Sequence, residues 1–245
     1  TRYNMSSSCV EQSVRKPCYR TLLDEQRRAL DNTFIQAIIV TSDGTKESLD
    51  SIYNIFERLN SGGTQLTPHE IRVALYAGKF IGFLEELNTL PDWRELYGKK
   101  SPRLRDQELV LRIIGIYLKF DNYKRPLKRF LNQVVSEFRE SDSTSFIKLK
   151  SSFEQAAKLL LQSYGKMAIR LGGSQVNVAF AEAVMVGLIT RLASGKALPS
   201  ASDISSVVDK LKSDPNVKAS SSRATADEEN VHRRVSTSKS LFGEI

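Results

Sequence analysis

The sequence contains few of the residues from which metal and nucleophile sites are usually built. It has 2 histidines, His69 and His232, and 2 cysteines, Cys9 and Cys18. Two histidines this far apart form neither an H-E-x-x-H zinc site nor a histidine-rich nuclease finger, and two cysteines without a second pair form no zinc knuckle. We therefore predict no metal site and assign no catalytic residue. His69 falls early in a predicted helix, where a cation is disfavoured, so we expect it to be neutral and exposed to solvent.

Long hydrophobic runs are also absent. The longest, residues 109–118, is interrupted by Arg112, and a membrane-spanning helix needs ~20 apolar residues. The first five residues lack the apolar core of a secretory signal. We therefore expect a cytoplasmic protein without a membrane partner. Pro91-Asp92 is a possible start of a P-D…[DE]-x-K nuclease pattern, but no [DE]-x-K follows nearby. We do not expect this chain to cut DNA.

Basic residues are abundant and unevenly distributed. The formal net charge is +8. Residues 94–129 contain 11 Lys or Arg and 4 Asp or Glu, whereas residues 43–93 contain 4 and 8. This concentration favours a polyanionic partner, and DNA is the partner we expect. The candidate nucleic-acid contacts, beside Arg94, are Lys99, Lys100, Arg103, Arg105, Lys124, Arg125, Lys128 and Arg129, with Trp93, Tyr97 and Tyr123 as stacking groups. The alternative interpretation is that these basic residues bind no nucleic acid and only form the solvated face around a buried helix.

Residues 55–72 form the clearest motif of the chain. Upstream, Ile52, Phe56 and Leu59 recur at three- and four-residue spacing, so one face of a helix is apolar. The run Asn60-Ser61-Gly62-Gly63 then ends that helix, because glycine and asparagine tolerate positive φ. Thr67-Pro68-His69-Glu70 has the pattern of an N-cap, a first-position proline and a capping box. The sequence predicts helix, glycine turn, helix.

Two interpretations of this motif remain open. In the first, it is only a well-formed turn between two helices, and Thr67, Pro68 and Glu70 act as caps. In the second, the free backbone N–H groups of the turn and a nearby arginine bind a phosphate group. The candidate phosphate- or nucleotide-binding residues are then Arg58, Asn60, Ser61, Gly62, Gly63 and Thr64.

The motif also resembles a known family. The run F-E-R-L-N-S-G-G-T-x-L-T-x-x-E-I-R at residues 56–72 is similar to the signature of the N-terminal domain family of GmrSD restriction endonucleases. That family is ParB/sulfiredoxin-like and serves in bacterial defence against modified phage DNA. The likeness extends more loosely over most of the chain, including residues 225–235. It implies a nucleotide site, with GTP or ATP and a divalent cation as cofactors, in which Phe56, Glu70 and Arg72 support the pocket.

The chain departs from the family in one motif. Members carry a D-G-Q-Q-R motif, linked to nucleotide hydrolysis, ahead of this stretch, whereas here residues 24–28 read D-E-Q-R-R in a predicted helix. This departure puts hydrolysis by the chain alone in doubt. We expect the chain to correspond to the later part of the family domain, either truncated or naturally split. A partner chain would then supply the missing strands or a nuclease subunit.

The predicted fold is mainly α, a multi-helix body with a small remnant of a ParB-like α/β sheet. Residues 34–40 give the only convincing strand, and the periodicity elsewhere predicts about nine helices. We assign residues 1–79 to the ParB/sulfiredoxin-like remnant and residues 80–245 to a helical domain. The function implied is a component of a GmrSD-like, modification-dependent restriction protein that binds nucleotide and senses DNA. The alternative is a non-enzymatic helical module that binds nucleic acid or a partner protein.

Overall fold

The computed structural model describes residues 18–34, 37, 39, 41, 45–59 and 65–245. These residues form twelve α-helices and three short 3₁₀ helices, and none of them lies in a β-strand. The mainly α fold is therefore confirmed, but the small sheet has no support in the described part of the chain. Of the predicted strand, residues 35, 36, 38 and 40 lie outside the described residues, and Phe34, Ala37 and Ile39 are not in a strand.

The chain divides into two compact units, residues 1–43 and residues 44–245. In the first unit, α1 spans Asp24–Asp31. It contains residues 24–28, which the sequence analysis placed in a helix. The Tyr19 hydroxyl lies 2.9 Å from both carboxylate oxygens of Asp31 at the end of α1. Arg27 donates to the Leu22 carbonyl, 3.1 Å away, so both ends of this short helix are fixed by local hydrogen bonds.

The second unit contains the other eleven α-helices. In chain order they are α2 (Lys46–Leu59), α3 (Pro68–Leu75), α4 (Lys79–Thr89), α5 (Pro91–Tyr97), α6 (Arg105–Lys119), α7 (Leu127–Glu137), α8 (Ile147–Tyr164), α9 (Val178–Ala193), α10 (Ala201–Ser213), α11 (Pro215–Ser220) and α12 (Glu228–Gly243). Helices α2 and α3 belong to the same compact unit as α4 to α12. The predicted division into a remnant at residues 1–79 and a helical domain at residues 80–245 stays a prediction.

Helix α9 is the centre of the second unit. Twelve of its 16 residues are buried, and it packs against α6, α8 and α12. A helix that is apolar all round is stable only when neighbours cover every face. Helix α6 is also largely buried, but α9 is covered more completely.

A buried ionic triad joins three of these helices. Glu182 of α9 accepts from the Arg234 Nη2 of α12 at 2.6 Å and from the Arg112 Nε of α6 at 2.9 Å. Arg234 is fully buried and also donates to the carbonyls of Ser220 and Thr225, 3.1 and 2.7 Å away. A buried carboxylate without such partners would be strongly unfavourable. The triad therefore joins α6, α9 and α12 through a buried carboxylate whose charge is compensated by two guanidinium groups.

Proline begins two of these helices. Pro91 occupies the first turn of α5. Pro215 is the first residue of α11, where the Asp214 carboxylate accepts from the N–H groups of Asn216 and Val217. Proline lacks an N–H and has a fixed φ, so it favours the first turn of a helix as much as it ends one.

Candidate functional site

The candidate site begins at the start of α3. The Thr67 side chain accepts from the Glu70 N–H at 3.2 Å, and the Glu70 carboxylate accepts from the Thr67 N–H at 2.6 Å. Pro68 is the first helical residue. The predicted N-cap, first-position proline and capping box are therefore confirmed. These two hydrogen bonds and the proline fix the backbone at the beginning of α3.

Helix α2 is joined to the start of α3 by a buried tyrosine. The Tyr53 hydroxyl donates to the Pro68 carbonyl at 3.2 Å, and Tyr53 is buried. Burial raises the pKa of Tyr53 to about 12, so the hydroxyl keeps its proton and remains a donor at neutral pH. The last turns of α2, which carry Arg58, are thereby connected to the first turn of α3.

The inner face of α3 is polar. Arg72 has an exposed fraction of 1%, and its Nε donates to the Asn132 Oδ1 of α7 at 2.7 Å. Its Nη1 lies 3.9 Å from the Glu108 carboxylate of α6 and makes no hydrogen bond within the described part of the chain. Burial lowers the pKa of Arg72, yet a guanidinium stays charged at neutral pH. Arg72 therefore connects α3 to α6 and α7 through a buried charge.

His69 lies on the same inner face. The expectation that it faces solvent is wrong, because the side chain is fully buried. Its Nε2 lies 3.1 Å from the Gln107 Oε1, and the Gln107 Nε2 donates to the Glu85 carboxylate. This network assigns the Nε2 proton to His69. Burial, and next the charge of Arg72, lower the pKa of His69. The imidazole is therefore neutral, as the sequence predicted.

The predicted phosphate-binding residues fall into two groups. Asn60, Ser61, Gly62, Gly63 and Thr64 lie outside the described residues. Arg58 is exposed in the last turn of α2, and its side chain makes no ion pair or hydrogen bond with any described residue. Phe56, predicted to support the pocket, is 39% exposed on the same helix. The structure therefore leaves a guanidinium and an aromatic ring accessible at the end of α2.

The predicted nucleic-acid contacts are mostly paired with carboxylates. The pairs are Lys100 with Glu85, Arg103 with Glu70 at 2.8 Å, Lys124 with Glu228 at 3.8 Å, Arg125 with Asp227 at 3.4 Å and Lys128 with Glu57 at 2.9 Å. Lys99, Arg105 and Arg129 are exposed and have no ion pair with a described residue. The basic stretch is therefore largely neutralised within the protein itself.

Two of the proposed stacking groups are core residues. Trp93 is fully buried and donates to the Asn88 Oδ1 at 3.2 Å, and Tyr123 is buried and donates to the Ala226 carbonyl at 2.7 Å. Neither ring is available to a base, so that prediction is wrong for both. Arg94 is also occupied, because its Nη1 binds the buried Asp106 carboxylate at 2.6 Å.

Several polar residues of the site carry no sequence signal of their own. Gln107, Glu108 and Asn132 are spaced along α6 and α7 like ordinary helix residues, and only the packing of these helices against α3 brings them to His69 and Arg72. The sequence contains one signal for the buried triad of Arg112, Glu182 and Arg234. Arg112 interrupts an otherwise apolar run, and a charge in such a run indicates a buried partner.

Comparison with known proteins gives no relatives. No family model, no curated protein and no solved structure matches the chain. Within the described part of the chain, none of the helices combines the length and hydrophobicity needed to cross a membrane. Among the same residues, no group of three or more His, Cys, Asp or Glu side chains is placed to hold a metal ion.

Proposed function

We propose that this chain is a nucleotide-binding and DNA-sensing component of a GmrSD-like, modification-dependent defence protein. One observation carries the proposal. Arg58 is exposed, precedes the glycine-rich residues 60–64 in the sequence and has no ionic partner among the described residues, whereas five of the eight predicted DNA contacts are paired. An unpaired guanidinium is suited to bidentate binding of phosphate. The resemblance of residues 56–72 to the GmrSD family supports the same assignment.

The electrostatics around α3 are compatible with an anionic ligand. The positive end of the α3 dipole favours negative charge. The Glu70 carboxylate lies at that end and would repel a phosphate, but Arg103 compensates its charge from 2.8 Å. The buried charge of Arg72 lies two residues beyond Glu70 on α3. GTP or ATP is the ligand we propose, with a divalent cation carried by the triphosphate.

The DNA-sensing part of the proposal rests on three side chains. Lys99, Arg105 and Arg129 are the predicted contacts that remain exposed without an ion pair to a described residue. Lys99 precedes α6, Arg105 is its first residue, and Arg129 lies in the first turn of α7. Charged side chains that bind phosphates contribute to affinity without reading sequence. We therefore propose contact with the DNA backbone.

Arg58→Ala tests the nucleotide site. We expect the wild-type chain to bind GTP or ATP in the presence of Mg²⁺, and the variant to bind about ten- to a hundredfold more weakly. That range corresponds to the loss of a charge-assisted hydrogen bond, ~1.5–3 kcal/mol. Calorimetric titration gives the affinity, and phosphate release shows whether the bound nucleotide is hydrolysed.

Arg223→Ala is the matched control, because Arg223 is also exposed and its side chain makes no hydrogen bond or ion pair with a described residue. This control should bind nucleotide like the wild type. Two results would contradict the proposal: no nucleotide binding by the folded wild-type chain, or equal affinities for the Arg58 and Arg223 variants. Either result would favour the alternative, a non-enzymatic helical module that binds nucleic acid or a partner protein.

A further inference from the structure

We infer that a second double-glycine turn, at residues 171–176, is a phosphate-binding site, with Lys99 and Arg105 as its flanking cations. The turn joins the 3₁₀ helix Gly165–Ile169 to α9 and lies entirely within the described residues. The source of the phosphate is the DNA backbone, and this part of the inference rests on the proposed DNA contact.

The turn presents free backbone donors. The N–H groups of residues 171–176 make no hydrogen bond with any described residue, and residues 172–175 are exposed to solvent. Gly173 has a φ of 68°, and successive N–H groups around such a left-handed residue form a concavity that suits an anion. Helix α9 begins directly afterwards, with the Asn177 side chain accepting from the Phe180 N–H at 2.9 Å, so its positive end adds to the attraction.

A buried arginine without an opposite charge holds this turn. Arg170 is 7% exposed, and its Nε donates to the Ser174 carbonyl at 2.8 Å. Its two Nη groups donate to the carbonyls of Leu96 and Tyr97, the last residues of α5, each at 3.0 Å. All of its partners are carbonyl oxygens, and no described carboxylate forms an ion pair with it. A buried charge without a counter-charge is unfavourable, and an anion bound at the turn reduces that cost.

Two exposed cations are fixed at the same end of α5. The Arg94 Nη2 donates to the carbonyl of Gly98, the residue before Lys99, at 2.6 Å. The Arg94 Nη1 binds the carboxylate of Asp106, the residue after Arg105, also at 2.6 Å. One guanidinium therefore holds the segments that carry Lys99 and Arg105 at the end of α5, and that end is the one to which Arg170 joins the turn.

The charge at this end of α5 favours several phosphates over a single small anion. Lys99, Arg105 and Arg170 have no ion pair with a described residue, whereas the neighbouring Glu95 carboxylate is compensated by Lys166 at 3.3 Å. The three uncompensated cations come from three separate segments of the chain, so they offer more than one contact point. A nucleic-acid backbone supplies phosphates in series, and backbone N–H groups are common partners of them.

Gly172→Glu tests the turn with DNA. A Cβ added to Gly172 meets no atom within 4 Å, so this substitution places a carboxylate at the turn without displacing a neighbour. We expect the affinity for a DNA duplex at about 0.1 M salt to fall about tenfold, because the new charge repels phosphates within the Debye length of ~10 Å. The loss should become smaller as the salt concentration rises.

Ala193→Glu is the matched control. Ala193 is exposed and is the last residue of α9, ~22 Å along the helix from its first residue at 1.5 Å per residue. Both variants carry the same net charge, so the comparison separates the position of the charge from its amount. The control should lose less than about twofold in affinity, since it lies beyond the Debye length. Equal losses in the two variants would overturn the DNA backbone as the source of the phosphate.

A titration with inorganic phosphate tests the site without DNA. The amide resonances of Gly172, Gly173 and Ser174 should shift and saturate in the wild type and in Ala193→Glu, but not in Gly172→Glu. Absence of these shifts in the folded wild type, or equal shifts in Gly172→Glu, would overturn the phosphate site. If the wild type shows the shifts but binds no DNA, the site is supported and only the proposed DNA contact is contradicted.

Discussion

At the scale of single residues, the inner face of α3 shows how a buried polar group acquires its chemical state. His69 is fully buried and contacts Gln107, while Arg72 lies one turn away on the same helix. The apolar surroundings disfavour a charged imidazole, and the neighbouring guanidinium adds a second unfavourable term. Sequence position alone indicated neutrality through the helix dipole, but the larger cause is burial.

The lowered pKa of His69 predicts a pH dependence of stability. The folded state takes up a proton less readily than the unfolded state, whose histidine has its usual pKa of 6.5. The free energy of unfolding should therefore fall as the pH decreases below that value, by at most ~1.4 kcal/mol per pH unit. Denaturant unfolding between pH 7.5 and pH 5.5 measures this slope, and His69→Gln should remove it.

Four carboxylates, those of Glu70, Glu86, Asp106 and Asp142, have a lowered pKa. Their stabilisation is lost only at more acidic pH, below about 4.5, outside this window. Equal slopes for the wild type and His69→Gln would contradict the prediction.

At the scale of elements, the crossing of α9 and α12 depends on one glycine. A Cβ added to Gly187 would lie 2.8 Å from the Phe242 Cδ2 and closer still to the Ser238 side chain. Contacts this short require one helix to move, since interiors are close-packed. Gly187 therefore sets the distance between the two helices that carry Glu182 and Arg234 of the buried triad.

Two glycine-to-alanine substitutions should have opposite effects. Gly187→Ala forces α9 and α12 apart, and we expect it to destabilise the protein by ~1–3 kcal/mol. Gly82→Ala in α4 meets no atom within 4 Å, so the better helix propensity of alanine should stabilise by ~0.5–1 kcal/mol. Thermal or denaturant unfolding of both variants measures the signs. A Gly187→Ala variant as stable as the Gly82→Ala variant would contradict the packing of α9 on α12.

At the scale of the whole molecule, the charge distribution differs from what the sequence indicated. Of the 11 basic residues between 94 and 129, eight pair with carboxylates, three of them with the acidic stretch 43–93. The local excess of positive charge is therefore a source of internal ion pairs as well as a surface field. Lys99, Arg105 and Arg129 are the predicted contacts left for an external anion.

This pairing predicts the salt dependence of DNA binding. The logarithm of the affinity should fall against the logarithm of the salt concentration with a slope of about −3 if three cations contact phosphates, and about −7 if all eight do. Titration of a duplex at several salt concentrations measures the slope. The variant Lys99→Ala should reduce it by about 1, whereas Lys100→Ala should leave it unchanged. Absence of any salt-dependent binding would remove the DNA-sensing part of the proposal.

The sequence by itself determined most of the local structure. Caps and periodic apolar faces act over a few residues, so the start of α3 was predicted from Thr67, Pro68 and Glu70. The prediction that His69 is exposed was wrong, because its partner Gln107 lies 38 residues away on another helix and no local pattern indicates that contact.

Only the tertiary structure decided which polar groups are available for function. The partners of Lys128, Arg103 and Arg112 lie 71, 33 and 70 residues away along the chain. No local pattern encodes such a pairing, because it depends on how whole helices pack. The sequence therefore indicated the motif around Arg58 and the number of basic side chains. Packing determined that Arg58 is exposed without an ionic partner among the described residues, that Trp93 and Tyr123 are buried, and that most of the basic stretch is neutralised.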